Sequence, residues 1–337
     1  MIIVVTLFYI IIEKIQGENM SEIELNSSLK KRFVSDFKLP INVFSEPYFA
    51  YYTDLYEPVY NISEKMEWFK DVLSKFKTVD DFFVYSESVS QNIKKLIADT
   101  NAYKTFNTAD MNKDFPLDEQ VKQQNIYIEP NVGKKLISID LQKANFNSLN
   151  IFGLKEELGI NNYEDLMKLV TEDKYFLESK KIRQVIFGDL NPARQQRVQK
   201  YIINTFCKKL KESGCILTSA SSDEIIIQNP EMTVEKVKSI LKDVPEKFQF
   251  FRVEEFSFDR IEEGHDFFIK KTKQENAPDK IEFKNVPGPF FAQAYKRHLG
   301  LDIIDKDMVF YHEGYLAEFK QSIFDPEVAK KKTHKFK

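Results

Sequence analysis

The sequence predicts an α+β fold, on three observations. A β-rich run, Lys134-Lys-Leu-Ile-Ser-Ile-Asp140, stops on a carboxylate. Two more β-rich runs, over residues 215–220 and 224–228, flank the turn formers Ser221, Ser222 and Asp223. Helical periodicity fills the segments between and after these runs.

At the N-terminus, residues 1–12 are apolar apart from one Thr. A helix of that length, at ~1.5 Å per residue, falls short of the ~30 Å hydrocarbon layer of a membrane. The run has neither a basic leading region nor a small-residue cleavage site, and Met20 opens an ordinary polar sequence. Residues 1–19 are therefore expected to be a dispensable or mis-assigned start, and no membrane partner is expected. Residues 20–133 are expected to form an α/β region without a catalytic motif. Its elements would be a helix over 63–76 with Met66, Phe69, Val72, Leu73 and Phe76 on one side, a short strand over 81–85 and a helix over 89–100. A polar loop would follow over 107–121.

Beyond the strand that ends at Asp140, residues 163–183 read as mostly helical. Pro192 opens a long helix to about Lys211, with Val198, Ile202, Ile203, Phe206 and Leu210 on one face, and Gly214 ends it. The hairpin comes next. An amphipathic helix over 230–244 carries Val234, Val237, Ile240 and Leu241, and an alternating Phe- and Val-rich strand covers 248–258. Strand, helices, hairpin, helix, strand is the ferredoxin-like βαββαβ order. It sets the first strand beside the hairpin at the sheet centre, where Asp140 and Asp223 would meet at one edge.

Composition limits the function classes. The chain has 337 residues, 42% hydrophobic and 30% charged, with 30 Phe and 15 Tyr to build a core. A net charge of -3 provides no global basic field, which argues against a purely electrostatic coat on nucleic acid and leaves room for a local basic groove. Cys207 and Cys215 do not form a CxxC pair, and the histidines at 265, 298, 312 and 334 have no metal-ligand spacing. Structural zinc is not expected. Reduced thiols in a reducing, cytoplasmic compartment are.

Two carboxylates brought to one sheet edge form a natural seat for Mg²⁺ or Mn²⁺, because they repel each other and a divalent cation relieves the repulsion. Two such ions ~3.5–4 Å apart activate an attacking hydroxyl and neutralise a leaving pyrophosphate. Glu224 follows Asp223 directly. Neighbouring strand residues face opposite sides, so it joins the seat only if the hairpin tip is a turn.

At this point the motifs resemble a known family. The segment from Ser138 through Asp140, Asn145 and Phe146 to Ser148 resembles motif A of family B DNA polymerases, and reverse-transcriptase motif A nearly as well. Lys180-Lys-Ile-Arg183-Gln184-Val-Ile-Phe187-Gly188 has the spacing of motif B, with Gln184 for its Asn and Phe187 for its Tyr. Ser221-Ser-Asp223-Glu224 and the apolar strand after it resemble motif C, with Ser221 for the first Asp. Val253-Glu-Glu-Phe256 and the run from Phe267 to Thr272 are similar to the post-palm strand and its Lys-Lys-Arg-Tyr motif. The matches keep the family's order and cover about 40% of the chain. The steric-gate Tyr is matched by Asn145, beside Phe146, and no Asp-x-Glu exonuclease motif precedes the region.

The resemblance implies a reduced polymerase palm over 134–275 with short fingers over 150–190, followed by a small thumb-like region and basic tail over 276–337. It implies a template-dependent nucleotidyltransferase, DNA polymerase-like, using two-metal catalysis. Asp140 and Asp223 would hold Mg²⁺ or Mn²⁺, with Glu224 beside them as a third catalytic carboxylate. Lys180, Arg183, Asn145, Phe146 and Phe187 would contact the nucleotide. Lys270 and Lys271 would contact the nucleic-acid backbone. Lys296 and Arg297, which mix with Tyr295 in a helical segment, would add grip on a duplex. Arg194 and Arg197 sit on the helix after motif B, within reach of a phosphate or on a solvated face. The expected partners are primer-template, DNA ahead of RNA, nucleoside triphosphates and an accessory replication subunit, and the small size suits a virus or mobile element. The alternatives are an inactive palm-derived nucleic-acid-binding or accessory subunit, a nucleotidyl cyclase and a reverse transcriptase.

Overall fold

The strand Leu136–Leu141 (β1) is aliphatic except at Ser138 and Asp140, so its two faces meet different surroundings. The structure, a computed structural model, describes residues 25–117, 122–228, 231–275 and 277–325. The proposed start over residues 1–19 and the basic tail after residue 325 lie outside the described residues. The strands Leu217–Ala220 (β2), Glu224–Ile227 (β3), Phe251–Arg260 (β4), Phe268–Thr272 (β5) and Lys280–Lys284 (β6) join β1 in one sheet. The order is β2-β3-β1-β4-β5-β6 and every neighbouring pair is antiparallel. The chain is therefore α+β, as expected. A separate two-stranded hairpin, Val309–His312 (β7) with Tyr315–Glu318 (β8), follows the sheet in sequence.

Register settles which residues share a face. Ile137, Ile139 and Leu141 of β1, with Ile225, Ile227 and Val253 on its neighbours, belong to the large core. The helices Pro192–Glu212 and Val234–Leu241 pack on this side. The long helix buries Val198, Ile202, Ile203, Phe206 and Leu210, the stripe its periodicity predicts. Each such side chain, fully buried, contributes about 1.5–3 kcal/mol. Gly214 ends the helix in a left-handed conformation (φ 79°), with Cys215 N–H bonded to Leu210 O and Gly214 N–H to Lys211 O.

The opposite face carries Leu136, Ile226, Phe256, Phe258 and Phe268, a second apolar cluster completed by Ile126 from the segment before β1. That segment covers one end of the face. The other end, where β1 reaches Asp140, is half-exposed.

The N-terminal region departs from expectation. Residues 25–117 form the helices Ser27–Phe37, Tyr48–Tyr60, Ile62–Leu73, Val79–Ala98, Asn101–Thr108 and Met111–Asp114, and no described residue before 117 belongs to a strand. The expected strand over 81–85 is the first turn and a half of Val79–Ala98. Thr78 and Asp81 form a reciprocal capping box there, and Phe82, Ser86, Val89, Ser90, Ile93 and Ile97 make a buried helical stripe. The Phe-Phe-Val-Tyr run has strand composition, but its burial follows a period of 3.6. The loop over 107–121 likewise holds the end of one helix and the short helix Met111–Asp114, and residues 118–121 lie outside the described ones. Among the described residues no helix is long and apolar enough to cross a membrane. Cys207 and Cys215 are buried and free.

Candidate functional site

At its half-exposed end the second sheet face turns from apolar to charged. Asp140 stands directly opposite Glu224 on β3 and, on its other side, opposite Arg252 on β4. Opposed residues of adjacent strands point to the same face, so the two carboxylates and the guanidinium form one row. Glu254, opposite Ser138, is on the same face one step along. The guanidinium Nη2 of Arg252 is 3.6 Å from Asp140 Oδ2, and its Nε is 3.2 Å from Glu254 Oε2.

The hairpin tip is a tight polar turn. Ser221 Oγ accepts from the backbone N–H of Glu224 (3.0 Å) and donates to Asp223 Oδ1 (2.9 Å). The Asp223 carbonyl accepts from Leu141 N–H at 2.8 Å, which ties the tip to the residue after Asp140. The carboxylate in register with Asp140 is Glu224, and Asp223 flanks the pair from the turn. Asp223, expected to meet Asp140 at the sheet edge, sits at the turn beside it, and the first residue of β3, Glu224, is the one in strand register with Asp140.

The electrostatics fit a crowded row. Burial raises the Asp140 carboxyl above its ordinary range; Arg252 pulls it down, and Asp223 and Glu254 push it up. Burial also raises Glu224, with Lys270 opposing and Asp140 and Asp223 adding to the rise. Lys270 itself is only 7% exposed. Its ammonium lies 4.3 Å from the centroid of the Phe256 ring and 3.7 Å from Glu282 Oε2. Burial lowers its pKa despite Glu282 and Glu224. Lys270 is thus an internal counter-ion of the acidic row, and the expected contact with a nucleic-acid backbone does not fit a buried ammonium.

Beside the pair is a polar cleft of about 680 Å³, between residues 123–127 and the hairpin, lined among others by Ser221, Ser222, Asp223 and Glu224. Asp140 and Glu224, with Asp223 at the adjoining turn, are the carboxylates gathered here; among the described residues no group of three or more His, Cys, Asp or Glu side chains is placed to hold a metal ion.

The other expected contacts are dispersed. Phe146 and Phe187 are buried; Phe146 packs edge-on with Tyr163 and Phe187, and Phe187 lies tilted against Tyr163, so neither offers a ring face to a nucleotide. Both are core residues. Asn145 accepts from Gln199 Nε2 at 2.8 Å. Lys180 and Arg183 are on the helix Lys180–Gly188, capped by Ser179, and with Lys181 they add to the burial that lowers the nearby Lys38. The charge of Lys180 also reaches Glu282 across the sheet edge, where lysines 284, 280, 270 and 180 together outweigh burial and hold that carboxyl low. Lys271 points away from the acidic row and pairs with Asp259 at 2.7 Å. Lys296 is buried, 3.2 Å from Asp307 Oδ2 and donating to the Asp302 carbonyl, so it is an internal ion-pair partner rather than a duplex contact. Arg297 pairs with Glu262. Arg194 and Arg197 donate to the backbone carbonyls of Phe106, Ala109 and Phe115, fastening the N-terminal helices to the long helix, so neither is a free phosphate contact.

Sequence reasoning missed Arg252 and Glu254. The signal was present: the alternation that buries Phe256 and Phe258 on one face also puts Arg252 and Glu254 there. In the comparisons with known proteins, the chain matches no protein-family model, no curated protein and no solved structure.

Proposed function

We propose that the chain is a template-dependent nucleotidyltransferase, DNA polymerase-like, that works with Mg²⁺ or Mn²⁺ on a primer-template and nucleoside triphosphates. The observation that carries this reading is the in-register opposition of Asp140 and Glu224 on the two central strands, with Asp223 at the adjoining turn. The order of β2, β3, β1 and β4 is that of a ferredoxin-like βαββαβ sheet, which supports a palm. The donor set fits the ion, because Mg²⁺ is commonly held by one or two carboxylates together with waters and substrate phosphates. Bound there, it would supply positive charge to the attacking 3′-hydroxyl and the leaving pyrophosphate.

The chain's own residues would position the reactants. Asp140 and Glu224 would hold the seat, Glu224 and Asp223 line the polar cleft, and Ser221 fixes the Asp223 carboxylate. Lys270, held over Phe256, keeps the row from carrying an uncompensated negative charge. Lys180, Lys181 and Arg183 gather positive charge around Lys38, away from the carboxylate row, and the triphosphate tail would be drawn toward it. An accessory subunit would supply the contacts that short fingers lack.

A second reading has one observation in its favour. Arg252 and Lys270 already neutralise much of the row, as they would in a palm-derived nucleic-acid-binding subunit that has lost its metal. Primer extension with and without Mg²⁺ separates the two. The enzyme reading requires Mg²⁺-dependent extension that Asp140→Asn abolishes. Wild type and Asp140→Asn both inactive, yet binding a labelled primer-template equally well, would establish the subunit instead.

A further inference from the structure

Asp140 has an anion on one side and a cation on the other, both in register with it. The two cations near the row differ in freedom. Lys270 is buried, rests on an aromatic ring and is held by Glu282. Arg252 has a side chain 44% exposed and touches Asp140 only at 3.6 Å. An exposed pair at that separation is weak and readily exchanged. The firmer contact of Arg252, at 3.2 Å, is to Glu254, which lies outside the facing pair. Releasing Asp140 therefore requires only a small swing about a partner the guanidinium keeps.

We propose that Arg252 is the placeholder of the cation seat, neutralising Asp140 until a divalent ion binds and then turning its guanidinium to the phosphates that arrive with the ion. This rests on the metal-dependent reading above and adds a residue to it. The charge argument is direct. A divalent ion entering between Asp140 and Glu224 meets the positive charge of Arg252 as a competitor for the same carboxylate. Once displaced, a guanidinium is well shaped for a phosphate, because its planar fork bonds two oxygens at once. Arg252 should thus oppose the bare ion and favour the ion–triphosphate complex. A residue with a purely structural role has no reason to move those two affinities in opposite directions.

The test is Mn²⁺ titration of the full chain, reading free Mn²⁺ by electron paramagnetic resonance, with thermal melts to verify folding. Arg252→Gln is expected to bind Mn²⁺ about tenfold tighter than wild type, equivalent to ~1.4 kcal/mol, and to bind the Mn²⁺–nucleoside triphosphate complex about tenfold more weakly. Arg252→Lys, which keeps the charge, should stay near wild type for the bare ion. Arg252→Met keeps the aliphatic stem and replaces the Gln variant if that one does not fold. Wild-type Mn²⁺ binding that is unchanged or weakened in Arg252→Gln would overturn the placeholder role and leave the metal reading standing. Absence of Mn²⁺ binding in wild type and in Arg252→Gln alike would remove both.

Discussion

Asp140 on β1 and Glu224 on β3 face each other directly across the two central strands; burial raises both carboxyls, the charge of Asp140 adds to the rise at Glu224, and Asp223 adds to the rise at both. Like charges directly opposed in an antiparallel pair are destabilising, by roughly 0.2–1 kcal/mol. With divalent ions chelated, Glu224→Gln is therefore expected to raise the free energy of unfolding in urea by that amount. In Mg²⁺ the same variant is expected to lower primer extension by roughly 10²–10³-fold, the usual scale for losing one electrostatic partner of a transition state. Stability and activity thus move in opposite directions at this position. A Glu224→Gln protein less stable than wild type in chelator would contradict the opposed-charge account.

The helix Val79–Ala98 gives a test of periodicity. Phe82 is fully buried and Val84 is 71% exposed. Phe82→Ala is expected to cost about 3–5 kcal/mol through the cavity it leaves, and Val84→Ala to change stability by less than about 0.5 kcal/mol. In a strand over 81–85 the two side chains would share a face, and both substitutions would cost alike. Denaturant unfolding of the two variants distinguishes these outcomes.

Asp307 fastens the C-terminal segment to the N-terminal helices. It is fully buried, accepts from Tyr51 Oη at 2.5 Å and from Ile304 N–H at 2.8 Å, and lies 3.2 Å from the Lys296 ammonium. Asp307→Ala strands a buried ammonium and is expected to destabilise by roughly 3–5 kcal/mol. Because Lys296 is committed to that pair, Lys296→Met should leave the salt dependence of primer-template binding unchanged. A reduced salt slope in that variant, measured by fluorescence anisotropy, would restore it as a phosphate contact.

His298 gives the pH dependence. Burial lowers its pKa below the ordinary 6.5, Lys271 lowers it further, and Asp259 partly compensates. The unfolded chain therefore binds more protons than the folded one just below pH 6.5, so stability rises with pH through that window and levels off above it. Acidification from pH 7 to pH 5.5 should lower the melting temperature of wild type more than that of His298→Gln. An equal decrease in the two proteins would mean that His298 titrates normally.

Much of the sheet was legible in the sequence because strand and hairpin signals are local. The run to Asp140, the Ser-Ser-Asp turn and the alternating strand that became β4 each declare themselves within a few residues, and so does the long helix between Pro192 and Gly214. At residues 81–85 the strand expectation fails, because aromatic and β-branched composition competes there with a helical burial pattern that only the full stripe to Ile97 reveals. Phe146 and Phe187 matched motif spacing, yet spacing does not say whether a ring faces a cleft or a core.

The sequence by itself determined the α+β class, the strand that delivers Asp140 and the hairpin that delivers a second acid, because propensity, turn chemistry and periodicity act between near neighbours. Only the tertiary structure decided that Glu224 is the acid in register with Asp140, that Arg252 stands on its other side, and that Lys270 and Lys296 are buried counter-ions. Those facts depend on how strands distant in sequence align. A shift of one residue in that alignment would carry every side chain to the opposite face.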